Sequence, residues 1–215
     1  TYRDEFIAIA SHELKTPITS LNLQLQLTKR SVVPEKNLSP SPEKLAKFLD
    51  ISTIQVDRMA NLVNELLDVS RINAGKLNLH FEKVNLNDLI NENIERLSEQ
   101  SKMAKSDIIF DEPKTTLTVW GDRFRLDQVF INLLTNAIKY GSGKPIKVSG
   151  FYSSDRQRVS ITVQDHGVGI SKEDQAKIFE SFERAASVEK VSGLGLGLHI
   201  ARQIVLAHQG EITVE

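Results

Sequence analysis

The stretch Phe6-Ile-Ala-Ile-Ala-Ser-His-Glu-Leu-Lys-Thr-Pro-Ile-Thr19 sets a histidine, a carboxylate and a hydroxyl on one amphipathic helix. Apolar residues Ile7, Ala10, Leu14, Ile18, Leu21 and Leu25 recur at spacings of three and four, the mark of one buried stripe. His12 falls off that stripe, so its imidazole is expected to face water or a partner. Glu13 is its neighbour, and Thr16 follows at i+4 on the same face. Pro17 has no N–H and crowds the carbonyl of Glu13, which predicts a bend one turn past the histidine. An exposed histidine beside a carboxylate and a helix distortion suits phosphoryl or proton chemistry.

Working outward, the helical pattern covers about 2–30, and a Pro/Ser-rich connection over 31–42 breaks it with Pro34, Pro40 and Pro42. A second helix is expected over about 43–73. Its residues Leu45, Leu49, Val56, Met59, Val63 and Leu66 stand at heptad-like spacing, with Ser52 in the gap. Two long amphipathic helices joined by a short turn make a helical hairpin. One hairpin does not cover both seams, so a homodimer built as a four-helix bundle is the economical solution. The alternative is a hairpin packed on its own C-terminal domain.

The chain of 215 residues is 40% hydrophobic, enough for a real core in one large domain or two small ones. A net charge of −1 gives no support to nucleic-acid binding. With no cysteine, disulfides and thiolate metal sites are excluded. No apolar run approaches the ~20 residues of a membrane span. Both ends read as cut, so any membrane anchor is expected in segments absent from this chain.

After Ala74-Gly75-Lys76, where Gly75 suits a left-handed helix cap, the period changes. Leu77, Leu79 and Phe81 alternate as a half-buried strand would, followed by a helix over 86–104 capped by Asn85 or Asn87. Strands at 108–110 and 117–119, a helix at 123–140 and a hairpin of 146–152 with 158–164 come next. Helices near 172–179 and 196–208 and a strand from Glu211 complete the order. Helices grouped against a mostly antiparallel sheet predict an α/β sandwich. The domains are therefore expected at 1–75 and 84–215, with 76–83 as hinge. Trp120 and the aromatics at 110, 151 and 152 are assigned to core or sheet, and His80, His166, His199 and His208 to structural or solvated roles.

Three further motifs carry chemistry. On Asp127–Tyr140, Asn132 and Asn136 stand one turn apart opposite an apolar face, and Lys139 and Tyr140 continue the polar line. Two asparagines are a poor choice for a merely solvated helix face. An amide oxygen is a good Mg²⁺ ligand, because that ion takes only one or two protein oxygens beside substrate phosphates. Lys139 supplies a positive charge, and Tyr140 a flat edge with a hydroxyl. In Asp165-His-Gly-Val-Gly-Ile170, Gly167 and Gly169 permit close approach by a ligand, and a carboxylate at a strand end can accept from an exocyclic amine. In Ser192-Gly-Leu-Gly-Leu-Gly-Leu-His-Ile200, Gly193, Gly195 and Gly197 leave backbone N–H groups free around Leu196, ahead of a helix N-terminus that favours phosphates. Between the glycine motifs, 185–191 is small and polar, suited to a lid, and Arg184 is either a phosphate contact or an ordinary surface arginine.

Together these segments resemble the catalytic core of bacterial two-component sensor histidine kinases, in the family's order and over nearly the whole chain. The resemblance covers the His-Glu-x-x-Thr-Pro phosphoacceptor box, the asparagine box, the Asp-x-Gly-x-Gly-Ile turn, a phenylalanine box at Ile178–Arg184 and the second glycine box. It implies a dimeric four-helix bundle followed by an α/β sandwich of the histidine kinase, gyrase and Hsp90 ATP-binding type. It implies ATP and Mg²⁺ as cofactors, with Asn136 on the metal, Asn132 and Lys139 on phosphates and Tyr140 beside the nucleoside. Asp165 is implied to read the adenine amino group, with Gly167, Gly169 and Ile170 shaping that turn and Gly193, Gly195, Leu196 and Gly197 the phosphate loop.

By the same resemblance, the γ-phosphoryl group passes to His12 with Glu13 as general base, after a hinge motion around 73–78, and then to an aspartate on a response-regulator receiver domain. Thr16 is placed to position water in the reverse reaction. The location implied is a cytoplasmic portion of a sensor anchored in the bacterial inner membrane. Three other readings stay open: a protein that is mainly a regulator phosphatase, a non-catalytic dimeric ATP-binding module, and an ATP-dependent clamp of the gyrase or Hsp90 class. The last leaves His12 and the hairpin without a role. Two departures from the family pattern are visible: a further C-terminal strand is expected after Glu215, and Gln209 stands where a second glycine is usual, a change expected to be harmless.

Overall fold

The computed structural model describes residues 2–31, 41–155, 157–182 and 194–215. The chain forms two compact units that divide between Ala74 and Gly75.

The first unit is a helical hairpin of α1 (Tyr2–Ser31) and α2 (Pro42–Asn73). The α1 helix continues through Pro17, whose ring is buried. Ser41 caps α2 by accepting from the Lys44 N–H, and Pro42 opens it where a missing N–H costs nothing. Gly75 follows at φ +63, the left-handed conformation its position predicts.

The apolar stripe on α1 is wider than the contact it makes. Ala10 and Pro17 are buried and Leu14 and Leu21 half-buried, whereas Ile7, Ile18 and Leu25 on the adjoining flank are exposed. The single buried stripe read from periodicity is thus two stripes, one facing α2 and one open. The α2 seam divides in the same way. Ser52, Met59 and Leu66 turn inward, while Leu45, Leu49, Val56 and Val63 are 44–54% exposed.

The second unit begins with 76–81 in no regular element, followed by β1 (Glu82–Asn85). The strand expected over 77–81 is therefore replaced by one that starts five residues later, at Glu82. The alternation is real, since Leu77 and Leu79 are half-buried between exposed neighbours, but no strand pairs with it. The helix expected over 86–104 is two helices, α3 (Leu86–Arg96) and α4 (Ser98–Met103). The break falls at the buried Leu97, whose ψ of 3° departs from the helical value of about −42°. Asn85 is the α3 cap, accepting from the N–H groups of Asn87 and Asp88.

Next come β2 (Ile108–Asp111), β3 (Thr118–Gly121), α5 (Arg123–Tyr140), β4 (Ile146–Tyr152) and β5 (Val159–Gln164). The pair β1–β3 is antiparallel, with Val84 opposite Val119. A three-stranded sheet has the order β2–β4–β5, the first pair parallel and the second antiparallel. Side chains alternate along β4, so Ile146 and Val148 are buried and Lys147 is exposed. The buried side packs on α3 and α5 through Leu89, Ile90, Phe130, Leu134 and Ile138. Trp120 and Phe151 belong to strands as expected but point outward, at 70% and 59% exposure.

The tail of the unit is α6 (Lys172–Gln175) and α7 (Gly197–Ala207). The helix expected to reach 179 stops after one turn. Ile178 and Phe179 then pack against Ile170, Leu198, Ile212 and Val214. Among the described residues 211–215 form no ladder, although Ile212 and Val214 alternate inward as a strand would.

Candidate functional site

On the hairpin, the His12 side chain is 78% exposed. Its Nδ1 faces Glu13 Oε1 at 3.5 Å. The other carboxylate oxygen, Oε2, lies 3.5 Å from Nη2 of Arg58 on α2. Glu13 therefore stands between the histidine and an arginine of the second helix. The Thr16 hydroxyl donates back to the His12 carbonyl at 3.2 Å. That bond fixes the hydroxyl on the histidine's own turn, one step from the imidazole along the helix. The spacing predicts that Thr16 shares the turn of His12, and the structure sets the Glu13 carboxylate beside them. Arg58 escapes such a reading, because no local pattern ties it to a residue 45 positions away.

In the second unit the candidate site lies where α5, the turn after β5 and the start of α7 converge. Asp122 caps α5 by accepting from the Arg125 N–H at 3.0 Å, and its other oxygen accepts from the His80 N–H at 2.8 Å. Burial pushes the Asp122 carboxyl up, but these hydrogen bonds and the Arg125 guanidinium outweigh it and hold the group below the ordinary 3.8. The Asp122 N–H donates to Nε2 of His208 at 2.9 Å, and the other ring nitrogen, Nδ1, contacts the Ile204 carbonyl at 2.8 Å. This pairing assigns the proton to Nδ1 and ties the end of α7 to the start of α5.

At the opposite end of the same helix pair, Asn132 Nδ2 donates to the Gly197 carbonyl at 3.0 Å. Asn136 is half-buried one turn further along α5. Lys139 is exposed, with Nζ 5.1 Å from the centre of the Tyr140 ring. The Asp165 side chain is exposed and accepts from the Gly167 N–H at 2.8 Å, which closes the turn. A Cβ on Gly167 would stand 2.0 Å from the Tyr140 carbonyl oxygen, so this turn lies directly on the end of α5. Gly169 has φ +71 and Gly195 φ +69, both in the left-handed region that favours glycine.

Ile170 anchors the turn in the small apolar cluster, and Leu196 is fully buried at the α7 N-terminus. Arg184, Gly193 and the 185–191 segment lie outside the described residues. His166, read as a surface turn residue, is exposed with Nδ1 3.1 Å from the Pro145 carbonyl.

The site thus combines a carboxylate at a strand end, two amide side chains on one helix face and a helix N-terminus opened by glycines. Such a set can bind an amine-bearing base at one end and phosphates at the other. Among the described residues, no group of three or more His, Asp or Glu side chains is placed to cage a metal.

Residues 2–75 match the family model of the His Kinase A (phospho-acceptor) domain, and residues 121–215 that of the histidine kinase-, DNA gyrase B-, and HSP90-like ATPases. The site and fold therefore define an ATPase unit of that class joined to a phosphoacceptor hairpin.

Sensor protein kinase WalK of Staphylococcus haemolyticus is 36% identical over 98% of this chain, which spans 34% of that protein's length. The mycobacterial sensor histidine kinase MprB is 31% identical with a TM-score of 0.56, over 62% of this chain and 86% of the other. Histidine kinase ThkA, solved in complex with response regulator protein TrrA, is 29% identical with a TM-score of 0.67, over 98% of this chain and 57% of the other. The chain belongs to the sensor histidine kinase family. It spans about a third of the length of the WalK relative. No helix among the described residues is long and apolar enough to cross a membrane.

Proposed function

We propose that this chain is the catalytic core of a two-component sensor kinase, which phosphorylates itself on His12 from ATP and passes the group to an aspartate of a response regulator. The observation that carries the reading is the Glu13 carboxylate at His12 Nδ1. When the Nδ1 proton is directed at Glu13, the lone pair of the neutral imidazole is available at Nε2. The Nε2–P bond forms as the bond from the γ-phosphorus to its bridging oxygen breaks, and ADP leaves with that electron pair. The Nδ1 proton passes to Glu13, which neutralises the ring. General-base help of this kind is worth on the order of 10²–10⁴-fold.

In the ATP unit, Asp165 holds the adenine amino group, and Gly167, Gly169 and Ile170 shape the turn around the base. Tyr140 flanks the nucleoside, and Lys139 neutralises phosphate oxygens. Asn132 holds the Gly195–Gly197 loop, whose N–H groups face the phosphates at the α7 N-terminus. The donor set fits Mg²⁺: a single amide oxygen from Asn136 suits an ion that draws its other ligands from phosphates and water, and no cage of His, Asp or Glu competes among the described residues. Bound there, the ion would neutralise phosphate charge during transfer. Arg184 and Gly193 complete the phosphate contacts in this reading. Thr16, held on the His12 turn, orients water in the reverse, phosphatase direction.

The homodimer is part of the proposal. The open flanks of both helices, with Ile18 and Leu25 on α1 and Leu49 and Val56 on α2, would be covered by a second copy in a four-helix bundle. The receiver-domain partner is supported by the relative solved with a response regulator. The chain would work on the cytoplasmic side of a bacterial membrane, where its ATP is found.

The test is incubation with Mg²⁺ and γ-labelled ATP, beside a His12→Gln variant. Acid-labile, base-stable label on the parent chain and none on the variant is the expected result. Absence of label despite ATP binding would overturn the kinase reading.

A further inference from the structure

We propose that Arg58 is a positioning residue for the proton transfer from His12, acting through Glu13; this rests on the phosphoacceptor reading of His12. The Glu13 carboxylate has two oxygens and two neighbours. Oε1 faces His12 Nδ1 and Oε2 meets Arg58 Nη2, each at 3.5 Å. Glu13 and His12 are adjacent in sequence, and adjacent side chains on a helix diverge, so local geometry alone does not hold the carboxylate against the ring. A glutamate side chain has several staggered rotamers, and not all of them place Oε1 at Nδ1.

Arg58 supplies the missing constraint from the other helix. Its guanidinium donates to the far oxygen, which turns the near oxygen toward the imidazole. A partly exposed pair, 33% for Arg58 and 20% for Glu13, adds little to stability, so its consequence is orientation. Because Arg58 sits on α2 and His12 on α1, the geometry of the base depends on how the two helices of the hairpin pack.

The experiment is a double-mutant cycle on the whole chain, with autophosphorylation rate and KM for ATP measured for the parent, Arg58→Ala, Glu13→Gln and the double variant. Arg58→Ala is expected to lower kcat about tenfold, a fraction of the general-base contribution, with KM for ATP changed less than about twofold. In the Glu13→Gln background the same substitution is expected to change kcat less than about twofold, because the group it acts through is gone. Arg58→Gln, which retains the stem and a donor, carries the same cycle should the alanine variant not fold.

Equal losses in both backgrounds, no loss in either, or a raised KM in place of a lowered kcat overturns the proposal. Parent chain that takes label on His12 while Arg58→Ala is unimpaired overturns this inference alone. Parent chain without acid-labile label overturns it together with the phosphoacceptor reading.

Discussion

Asn132 donates its amide N–H to the Gly197 carbonyl across 3.0 Å, and a Cβ on Gly197 would stand 3.3 Å from the same side chain's oxygen. The asparagine therefore holds the backbone that opens α7. At the other end of the helix pair, the Asp122 N–H to His208 bond fixes α7 against α5. The N–H groups around Gly195 and Gly197 are thus positioned from both ends of the helix that follows them.

Asn132→Ala is expected to weaken Mg-ATP binding about tenfold, the value of one lost hydrogen bond at a partly buried site. Asn132→Asp, which places a second acceptor against the Gly197 carbonyl, is expected to be worse. Calorimetric titration with a non-hydrolysable ATP analogue measures both, and unchanged affinity in Asn132→Ala would remove the tie from the account.

The two glycines of the Asp165 turn should respond differently to alanine. At Gly167 the new Cβ meets backbone atoms of Tyr140 at 2.0 and 2.8 Å, which cannot move aside. Gly167→Ala is expected to cost about 1–3 kcal/mol and to abolish nucleotide binding. At Gly169 there is open space but φ is +71, so alanine is expected to cost about 1–2 kcal/mol through backbone strain alone. Thermal melting with and without nucleotide separates the two.

Gln209 has φ +59, the conformation for which glycine is suited, and is not the harmless replacement its sequence position implies. Gln209→Gly removes the strain while adding freedom to the unfolded chain, for a net gain of about 0.5–1 kcal/mol. A melting temperature higher by about 2–4 °C is the expected reading. A fall would mean that the Gln209 side chain makes a compensating contact.

Asp122 gives the ATP unit an acid-sensitive element. Its pKa is depressed in the folded state, so its stabilising contribution is present above the unfolded value near 3.8 and lost as pH falls through the lower folded value. Asp122→Asn keeps a helix-capping side chain but forfeits one of the two accepted hydrogen bonds, costing about 1–2 kcal/mol at neutral pH. Denaturant melts from pH 7 downward should show the two proteins converging below pH 3.8, and a constant gap would contradict the assignment.

The open seam on α2 predicts an association-dependent fold. Leu49→Glu or Val56→Glu places a charge on a flank that is 52–54% exposed in the single chain. Either is expected to convert the proposed dimer to monomer in analytical ultracentrifugation while leaving ATP binding by the other unit intact. A monomeric parent chain would sink the four-helix bundle.

Much of this protein is legible in one dimension. Period 3.6 located α1, α2 and α5, and period 2 located β4 and β5, because each element buries one face and the pattern records which. The His-Glu-x-x-Thr-Pro box, the two asparagines and the glycine turns were readable for a similar reason, since their chemistry depends on spacing within a single helix or turn. The break at Leu97, the five-residue shift of β1 and the short α6 were not, because each follows from packing and pairing with residues far along the chain. The same holds for the functional ties. Arg58 meets Glu13, Asn132 meets Gly197 and Asp122 meets His208 across 45, 65 and 86 positions. Sequence alone singled out the residues proposed to carry the chemistry. Only the tertiary structure decided which distant backbone and side-chain groups hold them in place, since a contact between remote segments leaves no period in either one.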